Sequence, residues 1–483
     1  MRSICSSQGD LRRTSYLSSE SETSAMDCVG MKIRWASGTF VRHAGEESLV
    51  WCPRTDGLTV LQNCRPLLEA VSDEWQEISV IEQSMARSFG CSADVVRADF
   101  GLVFNELLDQ GFVVCDAADG ALKRDFQLWG VETVGGDNLS REGDKDIGDY
   151  SPLSEFCSRH KMPLEFHLDL TDACTERCIH CYVPKDKFDF LPVGLAEKAL
   201  SEFRAMNGLT VHLTGGEAML HPDFLRICRK CVDLGLNFIV FSNMTLCDEN
   251  LISALGDLGP QFINVSLYSM RPDEHDSITQ VNGSWLRTMD ALRMCDRYKV
   301  HYRIAIPLLK ENRTAIKDVK AFADSCNVRM TANANIVAQA DHDCRNLEHA
   351  CTASELREVF SENENDFNRN WSGVMPDCEA RVCDIGESRM YLNAKGNYYP
   401  CDSMHEYVLG NVRENTIEEI WAGKKLNYLR SLKNRDFGSC ATCDTRPWCM
   451  VCPAANFNAT GDLFKHHPNT CALAGVVREV YSK

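Results

Sequence analysis

No stretch of the chain approaches the roughly 18 consecutive apolar residues that a membrane-spanning helix needs, although 44% of its 483 residues are hydrophobic. A membrane partner is therefore not expected. Clustered base is missing too: 51 Lys and Arg stand against 69 Asp and Glu, the net charge is −18, and no Lys/Arg run breaks that balance. Binding to a phosphate backbone draws its affinity from counterions released by clustered base, so nucleic acid is not expected as a partner either. An acidic chain of this kind stays soluble or favours basic substrates. The opening segment MRSICSSQGDLRRTSYLSSESETSA is Ser-rich and lacks the apolar run of a secretory signal. The expectations are a cytoplasmic protein, disorder over residues 1–30, and a start at Met26 or Met31.

Cysteine, by contrast, is in excess, with 25 in all. At this length and without a secretion signal a small disulfide scaffold is excluded, and metal ligation becomes the live use of the thiols. Their placement agrees, since three fall between Cys174 and Cys181 and eight between Cys378 and Cys471. Others, such as Cys228, Cys231 and Cys326, read as small buried hydrophobes.

Three patterns divide the chain. In residues 31–115, short runs at Lys32–Trp35, Thr39–His43 and Leu49–Cys52 predict a strand meander with a turn at Asp56-Gly57. Helical spacing predicts helices over Leu61–Ser72, Glu77–Phe89 and Ala93–Gln110, the last capped by Ser92. That is a winged-helix-like module. Residues 116–158, rich in Gly and Asp, predict a linker. From 159 to 345 strand and helix alternate, with strands expected at Leu164–Leu170, Thr210–Leu213, Phe238–Ser242, Phe262–Leu267, Tyr302–Ile306 and Ala332–Val337. Six such repeats with right-handed crossovers make a parallel sheet curled into a partial (β/α)6, TIM-like barrel, whose function gathers at the C-terminal strand ends. A helical bridge over 346–377 leads to residues 378–483, where periodicity fades, one short helix is expected over Thr416–Ser431, and cysteines punctuate the chain as in a metal-stapled domain. The fold class is α/β.

The segment LDLTDACTERCIHCYVP follows the first barrel strand and spaces Cys174, Cys178 and Cys181 as C-x3-C-x2-C. One short loop then wraps three thiolates around three irons of a cube and leaves the fourth iron open to a substrate or cofactor. Strand two runs into LTGGEAMLHPDF, and strand four into VSLYSMRPDEHDSITQVNGSW. Standing at successive strand ends, these motifs resemble the radical S-adenosylmethionine superfamily. The resemblance implies a [4Fe–4S] cluster on the three cysteines, with S-adenosylmethionine contacts from Thr214, Gly215, Gly216 and Glu217. It further implies Asn243 after the third strand, Ser266 toward the ribose or carboxylate, and His180 against adenine. Many relatives carry an Arg four residues after the His of the HD segment; Thr279 stands there in this chain, and Arg303 on the fifth strand is the expected substitute. The implied chemistry is cleavage of S-adenosylmethionine, driven by a reductant such as flavodoxin or ferredoxin, to a 5′-deoxyadenosyl radical that removes a substrate hydrogen.

The C-terminal cysteines run Cys378-x4-Cys383-x17-Cys401, then Cys440-x2-Cys443-x5-Cys449-x2-Cys452-x18-Cys471, around the strand pair MYLNAKGNYYPC and the segment LGNVRENTIEEIW. This resembles the SPASM extension of radical maturases, which implies two auxiliary [4Fe–4S] clusters and three clusters in all. The implied partition is Cys378, Cys383, Cys401 and Cys452 for one and Cys440, Cys443, Cys449 and Cys471 for the other. The gap between Cys449 and Cys452 is one residue shorter than in the family pattern. Paired C-x2-C motifs also suit structural zinc. Asp402 coincides with the proton-accepting Asp of sulfatase-maturing relatives, and equally suits a hydrogen bond in its own turn.

Residues 31–115 resemble the PqqD-like element that recognises leader peptides by adding them as a strand to the meander edge, beside the third helix. A DNA-reading winged helix is the rival, but Asp94, Asp99, Glu106 and Asp109 on that helix deny it a basic face. The expected activity is modification of a ribosomally made precursor peptide with a leader sequence, through a thioether or carbon–carbon cross-link or a related change. A sulfatase-maturating, formylglycine-forming enzyme is the alternative, and a non-catalytic iron–sulfur electron carrier a further one.

Overall fold

The computed structural model describes residues 32–53, 57–116, 151–184, 188–362 and 373–482. The stretch expected to be disordered, both candidate starts, Asp56 and most of the expected linker lie outside them. Of the described residues, those up to Phe156 form one compact unit and those from Cys157 another.

The first unit contains, in chain order, β1 (Lys32–Trp35), β2 (Phe40–Ala44), β3 (Glu47–Cys52), β4 (Gly57–Gln62), α1 (Arg65–Ala70), β5 (Gln76–Glu77), α2 (Ile78–Phe89), α3 (Ala93–Asp109) and β6 (Val113–Asp116). The meander is β2-β3-β4, whereas β1 pairs with β5 and β6 in a second sheet. The expected meander thus loses its first strand and gains GLTVLQ, whose alternation carries strand through Leu61 where a helix is expected. Asn63, at φ 59°, then ends the strand, and α1 starts two residues on, with Pro in its first turn. Ser92 caps α3 as expected, its hydroxyl accepting from Val95 N–H at 3.4 Å. Ile33, Val50, Leu67, Ile81, Leu107 and Phe112 form a core of this unit's own.

A helix, α4 (Ser151–Arg159), closes the span expected as linker. Leu153, Phe156 and Cys157, at i, i+3 and i+4, are fully buried, which is reason enough for a helix there. The barrel follows as β7 (Glu165–Asp169), α5 (Val193–Ala205), β8 (Thr210–Thr214), α6 (Phe224–Asp233), β9 (Asn237–Ser242), α7 (Glu249–Leu258), β10 (Ile263–Ser266), α8 (Pro272–Thr279), α9 (Ser284–Tyr298), β11 (Tyr302–Pro307), α10 (Ile316–Ser325) and β12 (Met330–Asn333). All six strands are parallel and neighbour one another in sequence order. β12 begins before the expected Ala332 and stops at Asn333, whose side chain accepts from Asn335 N–H at 2.9 Å and turns the chain away.

After α11 (Ala353–Glu362) come β13 (Arg389–Leu392), β14 (Asn397–Tyr399) and β15 (Gly410–Asn411), followed by α12 (Ile417–Trp421), α13 (Lys424–Arg430), α14 (Pro453–Thr460) and α15 (Pro468–Tyr481). β13 lies parallel to β7, with Tyr391 opposite His167, so the Cys-rich domain extends the barrel sheet to nine strands. The single helix expected over Thr416–Ser431 is broken in two. Gly423 takes an extended conformation and starts α13 afresh.

Side chains alternate along the barrel strands. Phe166, Leu168, Val211, Leu213, Val240, Val265 and Ile304 join the buried core with helix residues such as Ala199 and Phe203. The intervening residues, including His167, His212 and Phe241, meet one another on the inner face.

Candidate active site

β7 ends at Asp169, and Thr171 makes the turn that follows: its hydroxyl donates to the Asp189 carbonyl at 2.7 Å and accepts from Ala173 N–H at 3.0 Å. Cys174, Cys178 and Cys181 come next. Burial pushes the Cys174 thiol up to about 12, with Glu217, Glu176 and Cys181 adding to the effect. Burial, then Glu176, Cys181 and Cys174, put Cys178 well above the ordinary thiol range. Three thiols thus sit close enough to oppose one another's ionisation. Among the described residues, however, they do not form a set of donors within 4.8 Å of one another. The loop is too open to close on a single ion and fits a polynuclear group whose iron takes up the buried thiolates.

Three neighbouring segments hold this loop. The end of α8 accepts two backbone bonds, Arg177 N–H to Thr279 O at 2.9 Å and Ile179 N–H to Ile278 O at 3.0 Å. Asn243, after β9, donates to Thr175 Oγ1 at 2.9 Å and approaches Cys174 Sγ at 3.7 Å, while Thr245 meets Thr175 at 2.8 Å. Tyr268, after β10, places its hydroxyl 3.5 Å from Cys178 Sγ.

The GGE loop after β8 is pressed against the same backbone. Gly216 N–H donates to Thr171 O at 2.7 Å and Glu217 N–H to Ala173 O at 2.8 Å. A Cβ on Gly215, at φ +125°, would sit 2.3 Å from Thr171 O, and one on Gly216 2.3 Å from Ala173 O. Glycine is required here by the approach of the cysteine loop itself. Glu217 turns inward and is 1% exposed. Ser242 Oγ reaches both its oxygens at 3.0 Å, Asn243 N–H donates at 2.9 Å and Met219 N–H at 3.1 Å. These three donors fix the carboxylate against the loop wall, and of the about four bonds a carboxylate accepts one is left for the expected cofactor contact. Thr214 and Ser266 end β8 and β10 half-buried at the same mouth.

His180 packs edge-on to Tyr268 at 5.3 Å. In the HD segment, Asp276 accepts from Gly283 N–H, Ser284 Oγ and Trp285 N–H at 2.5–2.9 Å and so fixes the start of α9. His275 accepts from Tyr268 N–H at 3.3 Å, and burial pushes its pKa down to about 4. Arg303 does not reach the mouth. It is the second residue of β11, opposite Asn264 rather than Ser266, and its guanidinium lies 4.0 Å over the Phe262 ring, at the strand's entrance. The register therefore corrects the expectation that it replaces the missing Arg at position 279.

In the Cys-rich domain burial raises the thiols of Cys401 and Cys383, with Cys452 adding to both. Burial likewise raises Cys449 and Cys471, with Cys440 and Cys443 adding to both. Cys378 is exposed. No three of these eight sulfurs lie within 4.8 Å of one another, whereas ligands on a zinc at about 2.3 Å would. Asp402 is exposed and accepts from Cys401 Sγ at 3.1 Å and Ser403 Oγ at 3.2 Å.

A further contact between the barrel and the Cys-rich domain has no motif behind it. The Tyr399 hydroxyl donates to the buried carboxylate of Asp169, and His405 lies 3.8 Å from the same group. Its only sequence signal is an Asp in an otherwise apolar strand end.

The model for the radical SAM superfamily matches residues 168–323, and that for the SPASM iron–sulfur cluster-binding domain residues 383–444. The chain is a radical SAM enzyme with a SPASM domain. Its cofactors are S-adenosylmethionine and [4Fe–4S] clusters. Relatives of this radical SAM enzyme include an AdoMet-dependent heme synthase of Methanosarcina barkeri, 23% identical over 336 residues, 62% of this chain and 94% of its own. The antilisterial bacteriocin subtilosin biosynthesis protein AlbA of Bacillus subtilis is 23% identical over 327 residues, 65% of this chain and 71% of its own. In structure, Streptococcus suis SuiB bound to precursor peptide SuiA aligns with a TM-score of 0.55 at 15% identity, over 90% of this chain and 99% of that one. Among the described residues no helix is long and apolar enough to cross a membrane.

Proposed function

We propose that this radical SAM enzyme modifies a ribosomally made precursor peptide, installing a thioether or carbon–carbon cross-link or a related change. The observation that carries the reading is the extent of the likeness to SuiB. Residues from Cys157 onward make up about two thirds of the chain, so a match over 90% includes much of the front unit. The relation to AlbA points the same way. A formylglycine-forming enzyme or an electron carrier has no use for a leader-reading module.

Cys174, Cys178 and Cys181 would hold the catalytic cluster, with Thr214, Ser266, His180 and the backbone of Gly215 and Gly216 lining the cofactor. S-adenosylmethionine bound there supplies, once reduced by a flavodoxin- or ferredoxin-type donor, a hydrogen-abstracting radical. Asn243 and Tyr268 position the cysteine loop. The mutual influence of the thiols supports one auxiliary set on Cys383, Cys401 and Cys452, completed by Cys378, and another on Cys440, Cys443, Cys449 and Cys471. Asp402, exposed beside Cys401, would take a proton from the substrate. In the front unit, β4 is an edge strand whose Thr59 bonds Glu106 of α3 at 3.1 Å. A leader would add its main chain to that edge, against α3.

The test is incubation of reconstituted enzyme, S-adenosylmethionine and reductant with a Cys- or aromatic-rich peptide encoded beside its gene. Mass spectrometry should show loss of two hydrogens with all sulfur retained and no aldehyde. An aldehyde in place of a Cys or Ser side chain would sink this reading in favour of formylglycine formation.

A further inference from the structure

Below Asp169 the inner face of the barrel carries a cluster that none of these roles uses. Glu165 and His167, two residues apart on β7, face the same side, and His212 on β8 stands in register with His167. Their donor atoms lie within 4.8 Å of one another, and His167 Nε2 is 3.8 Å from Glu165 Oε2. The imidazole centroids lie 4.1 Å apart, the rings tilted by 38°, with Tyr391 at 4.6 Å from His167 and Phe241 at 5.6 Å from His212 closing the sides.

This arrangement leaves hydrogen-bonding capacity unused. His212 is 9% exposed, and both its ring nitrogens, together with Nε2 of His167, are buried without a hydrogen-bond partner. Each such orphan costs stability, and aromatic walls do not relieve it. The protonation states are those of ligands. Burial, then His167, push the His212 pKa down to about 3, so the ring is neutral at neutral pH and one of its two nitrogens is a bare lone pair. Burial opposes ionisation of Glu165, but the neighbouring His167 and Arg389 prevail and hold it as a carboxylate.

We propose that Glu165, His167 and His212 bind one first-row divalent cation, with an open coordination position facing the barrel interior. Two imidazoles and one carboxylate on one side of an ion suit iron(II) or zinc(II) and leave room for a further ligand. A cation there would anchor an electron-rich group of whatever enters the barrel. Arg389 opposes it: its Nε donates to Glu165 Oε2 at 2.7 Å, and its charge repels a cation. The Arg389 side chain is 43% exposed and can leave for solvent. Removing it should therefore strengthen cation binding, which a merely structural cluster would not show.

The test uses reconstituted holoenzyme with its clusters filled, titrated with zinc sulfate and then dialysed. Zinc, iron and sulfide are counted per chain, and zinc K-edge X-ray absorption reports the donors. The expected result is one zinc per chain at unchanged iron, in a nitrogen and oxygen shell with imidazole scattering and no sulfur. H167Q and H212Q should weaken binding about tenfold or more, and R389Q should tighten it. Unchanged affinity in H167Q and H212Q, or a shell containing sulfur, overturns the proposal. If the histidine variants do not fold, unchanged or weaker binding by R389Q overturns it.

Discussion

Ser242 donates to both carboxylate oxygens of Glu217, at 3.0 Å each, and so ties the loop after β8 to the loop after β9. With Asn243 N–H and Met219 N–H also aimed at this carboxylate, the GGE acid is the knot that sets the floor of the cofactor site. In E217Q a side-chain N–H replaces one acceptor and confronts a backbone N–H. Its affinity for S-adenosylmethionine should fall about tenfold or more at unchanged iron content, measured by equilibrium dialysis. S242A should lower stability by about 1–3 kcal/mol.

Gly216 faces a harder limit. A methyl there would stand 2.3 Å from Ala173 O and 2.7 Å from Asp172 O, both backbone atoms that cannot swing aside. G216A should displace the cysteine loop and lose about four irons per chain, one cube's worth, with the auxiliary iron kept. Iron analysis and electron paramagnetic resonance of the reduced protein check this.

His275 makes stability depend on pH. Its pKa is pushed down to about 4 by burial, below the unfolded value of about 6.5, and its nitrogen accepts from Tyr268 N–H. The unfolded chain therefore binds a proton first as pH falls. The contribution is present above about pH 6.5 and is lost progressively toward pH 4. Between pH 7 and pH 5 the folded state should lose about 2 kcal/mol from this group. Denaturant melts of H275N, whose amide oxygen can still accept, should show a shallower loss over that range.

Much of the barrel is legible in the sequence because LEFHLD, TVHLT and NFIVFS are largely apolar runs that each end in a polar residue, and the motifs follow those ends. The partnership of β13 with β7 is not, because strands more than two hundred residues apart leave no local mark of pairing. Arg303 shows a second limit: periodicity finds its strand, but only the register with β10 tells which end of the barrel it occupies. Glu217 shows a third, since its motif names a cofactor contact while its partners, 25 and 26 residues away, turn it inward. His167 and His212 do carry a signal, as imidazoles flanked by apolar residues in their strands, although their meeting depends on register.

The most direct test concerns Cys174, Cys178 and Cys181. Anaerobically reconstituted enzyme should hold about twelve irons per chain, and on reduction with S-adenosylmethionine should release 5′-deoxyadenosine. With all three cysteines replaced by Ala, about eight irons should stay and release should stop. Release that persists in the triple variant, or a starting content near four irons, would contradict the account.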